Sequence, residues 1–286
     1  MKRLRYFPEQ LGVPGVRELV EVYFDAASEP LPVHVHPDAM ELCFLVSGSQ
    51  AYTVQGKAYP IRGGEMFLTY PNEEHQGATP FQERCRLYYM IVDTTHNRSG
   101  FLGFPGGECA GLACELEGIA SRVFFAGERV QSLFEDCFAH AAALTAEPAH
   151  ALERASLRAG LLFLLQAIVR QSRNGTPAYS PPIAGVLAYF EEHLDERVLL
   201  RDAAQHTGMS LEQLKRRFRR EVGIPPADYL LRRKVQAACA MLEAGESVTQ
   251  TAFQLGFSSS QHFSRVFKQY LGFPPSHFAG KGTRRK

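Results

Sequence analysis

The chain predicts an α+β fold in two parts: an antiparallel β-sandwich or barrel carrying a helical hairpin, then an all-α region. Three observations predict it. From Arg17 to about Thr95, short apolar or alternating runs are punctuated by turn residues. From Glu128 the apolar period lengthens to that of a helix. Residues 208 to 229 and 256 to 278 are one segment written twice.

The strand runs include Leu19-Val20-Glu21-Val22-Tyr23-Phe24, Leu42-Cys43-Phe44-Leu45-Val46, Tyr52-Thr53-Val54 and Leu87-Tyr88-Tyr89-Met90-Ile91-Val92. Gly48, Gly56, Gly63-Gly64 and Pro71-Asn72 divide them at short intervals, which favours an all-β sandwich or barrel over a βαβ unit. Residues 96 to 127, rich in Gly, give no periodic signal. The expected boundaries are a barrel over 1–127, a helical hairpin over 128–173, a linker over 174–182 and an all-helical domain over 183–286.

In the hairpin, Val130, Leu133, Phe134, Cys137 and Phe138 share one helical face. After Pro148, Leu152, Ala155, Leu161, Leu162, Leu164, Leu165 and Ile168 spread around more than one face. That is more apolar area than one packing contact uses, and it predicts a homodimer through this helix, or packing between the two parts of the chain. Ser172 to Pro182, with Asn-Gly, Thr-Pro and Ser-Pro-Pro, has the composition of a linker.

Composition narrows the partners. With 286 residues, 45% of them hydrophobic, two domains can each bury a core. The net charge is only +1, yet residues 183 to 286 hold 16 of the 31 Lys and Arg against 10 of the 30 Asp and Glu. The remainder holds 15 against 20, so the charge is +6 after Pro182 and −5 before it. A basic C-terminal third suits a polyanion. The six cysteines have no paired zinc spacing, and no apolar run reaches membrane-span length. A reducing cytoplasm and no membrane partner are expected. Cys109 and Cys114 could bridge as a redox sensor, although no neighbouring cation activates either thiol.

The duplicated segment carries the sharpest expectation. Gly208-Met209-Ser210, Leu214, Arg216, Phe218 and Gly223-Ile224-Pro225-Pro226 recur as Gly256-Phe257-Ser258, Phe263, Arg265, Phe267 and Gly272-Phe273-Pro274-Pro275. Each copy reads as a helix, a glycine turn, a capping Ser and a second helix with cations on one face, the helix-turn-helix pattern. Capping boxes at Ser210, Ser247 and Ser258 predict helix starts, and the Pro pairs predict stops. Helices are expected near 183–194, 199–206, 211–221, 226–243, 248–255 and 260–270, with a short one after Pro275. The helix over 226–243 would span roughly 27 Å, close to the spacing of successive major grooves once its flanking helices are added.

On the first recognition helix, Glu212, Lys215 and Arg216 are placed to reach base edges, and Arg219 and Arg220 the phosphates. On the second, Ser260, Gln261, His262, Ser264, Arg265 and Lys268 lie on the outer side. Arg265 suits guanine and Gln261 adenine. A solvated cationic face is the bland alternative. These segments, with Ala252-Phe253-Gln254-Leu255-Gly256-Phe257-Ser258, closely resemble the DNA-binding domain of AraC/XylS-family transcription regulators over the last hundred or so residues. The resemblance implies double-stranded promoter DNA as partner and recruitment of RNA polymerase, usually as an activator. Phe253 stands where the family usually has Ile, an expected core swap.

In the first part, His34-Val35-His36, Glu41 and Gly48 have the spacing of the first cupin motif, and Gly64-Glu65, Pro71 and His75 partly supply the second. On a strand, His34 and His36 would share a face. Three imidazoles and a carboxylate would suit a divalent transition metal such as Fe, Mn, Ni or Zn. The resemblance equally implies a cupin-like sensor barrel whose His34, His36, Glu41 and His75 hydrogen-bond a small polar effector, such as a sugar. Tyr70 and Tyr88, with Phe44, Tyr52, Arg17 and Arg62, are expected to line that cavity. A purely structural role for these side chains is a third reading, and a metal-dependent enzyme at the same tetrad is the alternative function, weakened by fusion to a complete DNA reader. The expectation is a DNA-binding regulator, not an enzyme, under small-molecule control.

Overall fold

The structure is a computed structural model that describes all residues except 26–27, 80–81, 95–97, 105–108, 148–149, 175–178 and 280–286. The chain divides into two compact units, residues 1–25 with 29–177, and residues 26–28 with 178–286. Of the expected linker, residues 175–178 lie outside the described residues.

Among the described residues the first unit holds nine strands: β1 (Lys2–Tyr6), β2 (Val16–Phe24), β3 (Ala39–Ser47), β4 (Ser49–Val54), β5 (Lys57–Arg62), β6 (Glu65–Thr69), β7 (His75–Gly77), β8 (Cys85–Asp93) and β9 (Val123–Phe125). They form a six-stranded sheet in the order β1-β2-β8-β3-β6-β9 and a three-stranded sheet β5-β4-β7, every described pairing being antiparallel. A short helix α1 (Pro8–Leu11), a kinked 3-10 segment (Arg98–Gly103), α2 (Ala110–Glu117), α3 (Gly127–Ala146) and α4 (Ala151–Asn174) complete it.

The large sheet is buried on both faces, and the side-chain period of two sorts its residues. Leu19, Met40, Leu42, Phe44, Met66, Leu68, Tyr88, Met90 and Val92 pack against α2, α3 and α4 in one core. Val20, Val22, Cys43, Leu45, Phe67 and Leu87 point the other way, into a second core with Tyr52, Val54 and Ile61 of the small sheet. Two-sided burial gives the runs in β3 and β8 their near-continuous apolar character.

Helix α4 buries Leu157, Leu161, Leu164, Leu165, Ile168 and Val169. Leu162 packs at the edge of that core. The second apolar face of the hairpin is smaller than the sequence suggests, consisting of Leu152 at 68% exposure, Phe163 at 56% and exposed Ala155.

The second unit is helical: α5 (Pro181–Glu192), α6 (Leu200–His206), α7 (Leu211–Val222), α8 (Pro226–Glu243), α9 (Val248–Gln254), α10 (Ser260–Leu271) and α11 (Ser276–Ala279). Helix α5 starts at Pro181, two residues before the expected position, because Ser180 is its N-cap and Pro is favoured at the first helical position. The first helix-turn-helix, α6 and α7, packs on α5 around Phe190, Leu214 and Phe218. The second, α9 and α10, is built on Phe257, Phe263 and Phe267, whose rings meet edge to face at 5.2 and 5.5 Å.

Two capping boxes are present as expected, with Ser210 accepting from Gln213 N and Ser247 from Gln250 N. The third is not formed, and a single N-cap bond one residue further on stands in its place. Ser259 caps α10 by accepting from His262 N, and Ser258 lies outside the helix. The extra residue in the second copy lengthens the turn by one step. Phe253 is 57% exposed on α9, so the expected core swap is not one; Thr251 and Ala252 hold the buried positions of that turn.

Candidate effector cavity and nucleic-acid interface

A half-open cavity of about 350 Å³ lies on the face of the large sheet away from the helices, lined mainly by β1, β2, β3 and β8 with Tyr52 of β4. His34, His36 and Glu41 line one side of that cavity, whereas His75, expected there too, is fully buried beside Glu41 and does not line it; one ligand atom from each of the four lies within 4.8 Å of every other. His34 and His75 are brought together by an isolated antiparallel bridge with two backbone hydrogen bonds of 3.0 Å. His36 lies outside any strand, so the strand period does not set its orientation; its carbonyl accepts from Ala39 N and Asn72 N.

The cluster is wired by its backbone. His34 Nδ1 donates to the Pro32 carbonyl at 2.9 Å, which leaves Nε2 as the inward lone pair. His75 Nδ1 donates to the Glu73 carbonyl at 3.2 Å, and its Nε2 lies 2.9 Å from Glu41 Oε2. His36 Nε2 lies 3.3 Å from the same oxygen without the alignment of a hydrogen bond. Burial raises the pKa of the Glu41 carboxyl, but His36 and His75 beside it outweigh that and hold it down at about 2. Burial depresses the pKa of His34, whereas for His75 the Glu41 carboxylate outweighs burial and raises it.

In the second unit the outer face of α7 presents Glu212, Lys215, Arg216, Arg219 and Arg220, all exposed. Lys215 donates to Glu212 at 3.0 Å across one helical turn. On α10, Gln261, Arg265 and Lys268 are exposed, and Ser260, His262 and Ser264 are half-buried. His262 packs against the Phe257 ring with centroids 5.6 Å apart, at the margin of the face.

The joint between the two copies is tightly made. Helix α8 carries Lys234, only 4% exposed, whose ammonium donates to the Glu196 and Leu255 carbonyls and lies over the Phe257 ring. Burial lowers its pKa to about 8, against the raising influence of Asp195 and Glu196.

Family models match a stretch in each unit of the chain. The family model of the AraC-like ligand binding domain matches residues 22–165, and a helix-turn-helix domain model matches residues 203–281. The chain belongs to the AraC family of transcription regulators. It is 37% identical over 109 residues to the HTH-type transcriptional activator AarP of Providencia stuartii, covering 38% of this chain and 81% of that protein. It is 25% identical to the HTH-type transcriptional activator RhaS of Klebsiella pneumoniae (strain 342), over 85% of this chain and 86% of that protein. It is 28% identical to the transcriptional regulator YbfI of Bacillus subtilis (strain 168), over 85% of each chain.

The ligand-binding half of this AraC-family chain departs from the sequence expectation at several residues. Tyr88 does not face the cavity. It is fully buried among Phe44, Phe134 and Phe138, and its hydroxyl donates to Glu135 at 3.0 Å. Tyr70 packs at the edge of the same helical core, with its hydroxyl donating to the Ile119 carbonyl and Arg122 over its ring. On β8 and β3 the period of two turns Tyr88 and Phe44 to the helices and gives Leu87, Tyr89, Ile91 and Glu41 to the cavity. Arg17 pairs with Asp93 at 2.7 Å and Arg62 with Glu65 at 2.9 Å, and neither lines the cavity. Tyr52 does line it. Cys109 and Cys114 are both free thiols, the first buried and the second exposed.

Two further cavity residues, Arg3 and Arg5, lie in the N-terminal run Lys2-Arg3-Leu4-Arg5. Arg3 and Arg5 of β1 pair in register with Val22 and Val20 of β2, which turns both guanidinium groups to the cavity side. The signal was available in the alternation of Lys2-Arg3-Leu4-Arg5-Tyr6, but so short a charged run has no apolar stripe to declare it a strand.

Proposed function

We propose that this AraC-family regulator binds promoter DNA with both recognition helices and activates transcription in response to a small molecule in its β-domain cavity. The observation that carries the DNA half is the pairing of two Ser-capped helices with exposed polar and cationic faces, joined by a single helix of 18 residues. At 1.5 Å per residue that helix spans about 27 Å, a fitting spacer for adjacent major grooves. Glu212, Lys215, Arg216, Gln261, Ser264 and Arg265 would read bases, with Ser260 and His262 at the margin. Arg219, Arg220 and Lys268 would hold phosphates.

Activation, contact with RNA polymerase and a cytoplasmic setting follow the same reading, supported by the activators among the relatives. The exposed Leu152, Ala155 and Phe163 face of α4 suits a homodimer, in which the barrel 1–127 and hairpin 128–173 act together ahead of the linker 174–182 and the reader 183–286. No catalytic step is assigned to the chain.

The small-molecule half rests on a cavity lined by His34, His36 and Glu41, with His75 bonded to Glu41 behind them. A ligand there can switch transcription only through unequal affinity for two arrangements of the protein. Footprinting of genomic fragments selected by the full-length protein tests the DNA reading. Two protected major-groove segments on one duplex face are expected, and protection of a single segment would sink the tandem-reader reading. His36→Ala is expected to remove the ligand response while leaving DNA binding in place; loss of the fold instead would make His36 structural.

A second reading is favoured by one observation, the 4.8 Å clustering of four ligand atoms with His34 and His75 oriented by backbone carbonyls. The donor set of three imidazoles and a carboxylate fits a divalent transition metal, which would supply a Lewis-acidic anchor for an effector. Metal analysis of protein purified without chelator or His tag, beside a His34→Ala/His36→Ala variant, separates the two readings. About one equivalent lost in the variant would establish the metal centre; none in either would leave the hydrogen-bonding site.

A further inference from the structure

We infer that the molecule this cavity accepts is an amphipathic acid, a small carboxylate with an apolar body, held by Arg3. The inference rests on the small-molecule reading above and narrows its chemistry.

The charges on the cavity wall are unequally satisfied. Glu18 is engaged by both Nε, at 2.9 Å, and Nη2 of Arg5. Glu41 is engaged by His75, with His36 beside it. Among the described residues Arg3 makes no ion pair; its guanidinium donates to the Tyr89 hydroxyl and lies 5.5 Å from that ring's centroid. A guanidinium offers five N–H donors in a fixed plane, and one phenol oxygen leaves most of them free. A planar carboxylate accepts two in parallel, which is the strongest neutral-pH match for an unpaired arginine.

The rest of the wall is mixed. Val22, Phe24, Leu31, Leu87 and Ile91 contribute apolar side chains, and His34, His36, Tyr52 and Gln82 contribute polar ones. A neutral polyol laid over the apolar part would leave hydroxyls there without partners, which is unfavourable. An alkyl, alicyclic or aryl body gains from the same surface. A phosphate ester would bring two charges to a single free arginine.

The test is titration calorimetry and thermal shift on the full-length chain with three classes of probe: hexanoate, cyclohexanecarboxylate and phenylacetate; their primary amides; and glucose, ribose and glucose 6-phosphate. At least one acid is expected to bind and raise the melting temperature, and its amide to bind at least about 10-fold more weakly, the worth of a charged hydrogen bond. Arg3→Gln should weaken the acid by a similar factor. Lys2→Gln, one residue along the same strand and outside the cavity lining, should leave it unchanged. Equal binding of acid and amide, or equal loss in both variants, overturns the assignment. Binding by a sugar or the sugar phosphate instead, lost in His36→Ala, overturns the acid class and retains the cavity reading. Silence from every class with DNA binding intact overturns both.

Discussion

The two helix-turn-helix copies share a core and differ in what surrounds it. Leu214 and Phe218 in the first, and Phe263 and Phe267 in the second, are fully buried at equivalent positions. Both recognition helices end on a left-handed glycine, Gly223 and Gly272, each with φ of 82°. The turn glycines, Gly208 and Gly256, have nearly equal φ of 69° and 67°, but their surroundings are opposite. An added Cβ at Gly208 meets nothing within 4 Å, whereas at Gly256 it falls on the Glu196 carbonyl and 2.6 Å from Arg197 N. In the first copy the glycine answers only the backbone angle. In the second it also lets the turn dock on the segment before α6, beside the Lys234 ammonium that bonds Glu196 and Leu255. Duplication preserved the residue while adding a second reason for it.

The sharpest break of that comparison is paired substitution of the two glycines. Gly208→Ala should cost about 1–2 kcal/mol, the penalty of a left-handed non-glycine residue. Gly256→Ala adds the displacement of a main-chain segment, about 1–3 kcal/mol more by analogy with overpacked cores. Denaturant unfolding of the two variants should therefore separate them in midpoint; equal losses would mean that the docking contact carries no energy.

Lys234 sharpens the same joint through pH. Its folded pKa of about 8 lies below the ordinary lysine value of 10.5, so between those values the unfolded state binds more protons. Stability from this group therefore rises with pH across that window, and the burial of its charge is felt fully below pH 8. Lys234→Met should flatten the rise, a difference on the order of 1–3 kcal/mol between pH 7.5 and 10.5. It should also cost stability at neutral pH, because two carbonyls lose their donor. A wild-type slope matched by the variant would place the alkaline response elsewhere.

How far these features could be read in advance follows from what each depends on. The recognition helices were legible because capping, glycine stops and a polar face opposite a buried one are local signals, and both copies repeat them. The α10 cap slipped by one because a run of three serines offers three equivalent hydroxyls. The His34, His36, Glu41 and His75 grouping was legible from spacing, though its geometry comes from a bridge to His75 that no local pattern announces. Tyr70 and Tyr88 failed as cavity residues because a sheet buried on both faces has no polar side to mark its orientation. Arg3 and Arg5 were missed because only the pairing of β1 with β2 gives them a direction. The docking role of Gly256 was invisible for the same reason: its crowding neighbour is 60 residues away, and the repeat makes it look identical to Gly208.

The smallest expected effect distinguishes the outer faces. The first recognition helix carries Lys215, Arg216, Arg217, Arg219 and Arg220, and the second only Arg265 and Lys268. Polyanion attraction should therefore come mainly from the first copy, and a larger share of base discrimination from the second. Arg265→Ala is expected to cost about 1–3 kcal/mol on the preferred site and to relax preference at one base position. Arg220→Ala should weaken all sequences nearly alike and reduce the slope of log K against log salt by about 1. Arg220 lies in the last turn of α7, beyond the residues that a helix lowered by its N-terminal end brings to base edges, and only its charge can act there. Mobility-shift titrations of both variants on specific and scrambled duplexes at several salt concentrations measure each quantity. A sequence-selective loss for Arg220→Ala would move base reading toward the end of α7 and reverse the division of labour between the copies.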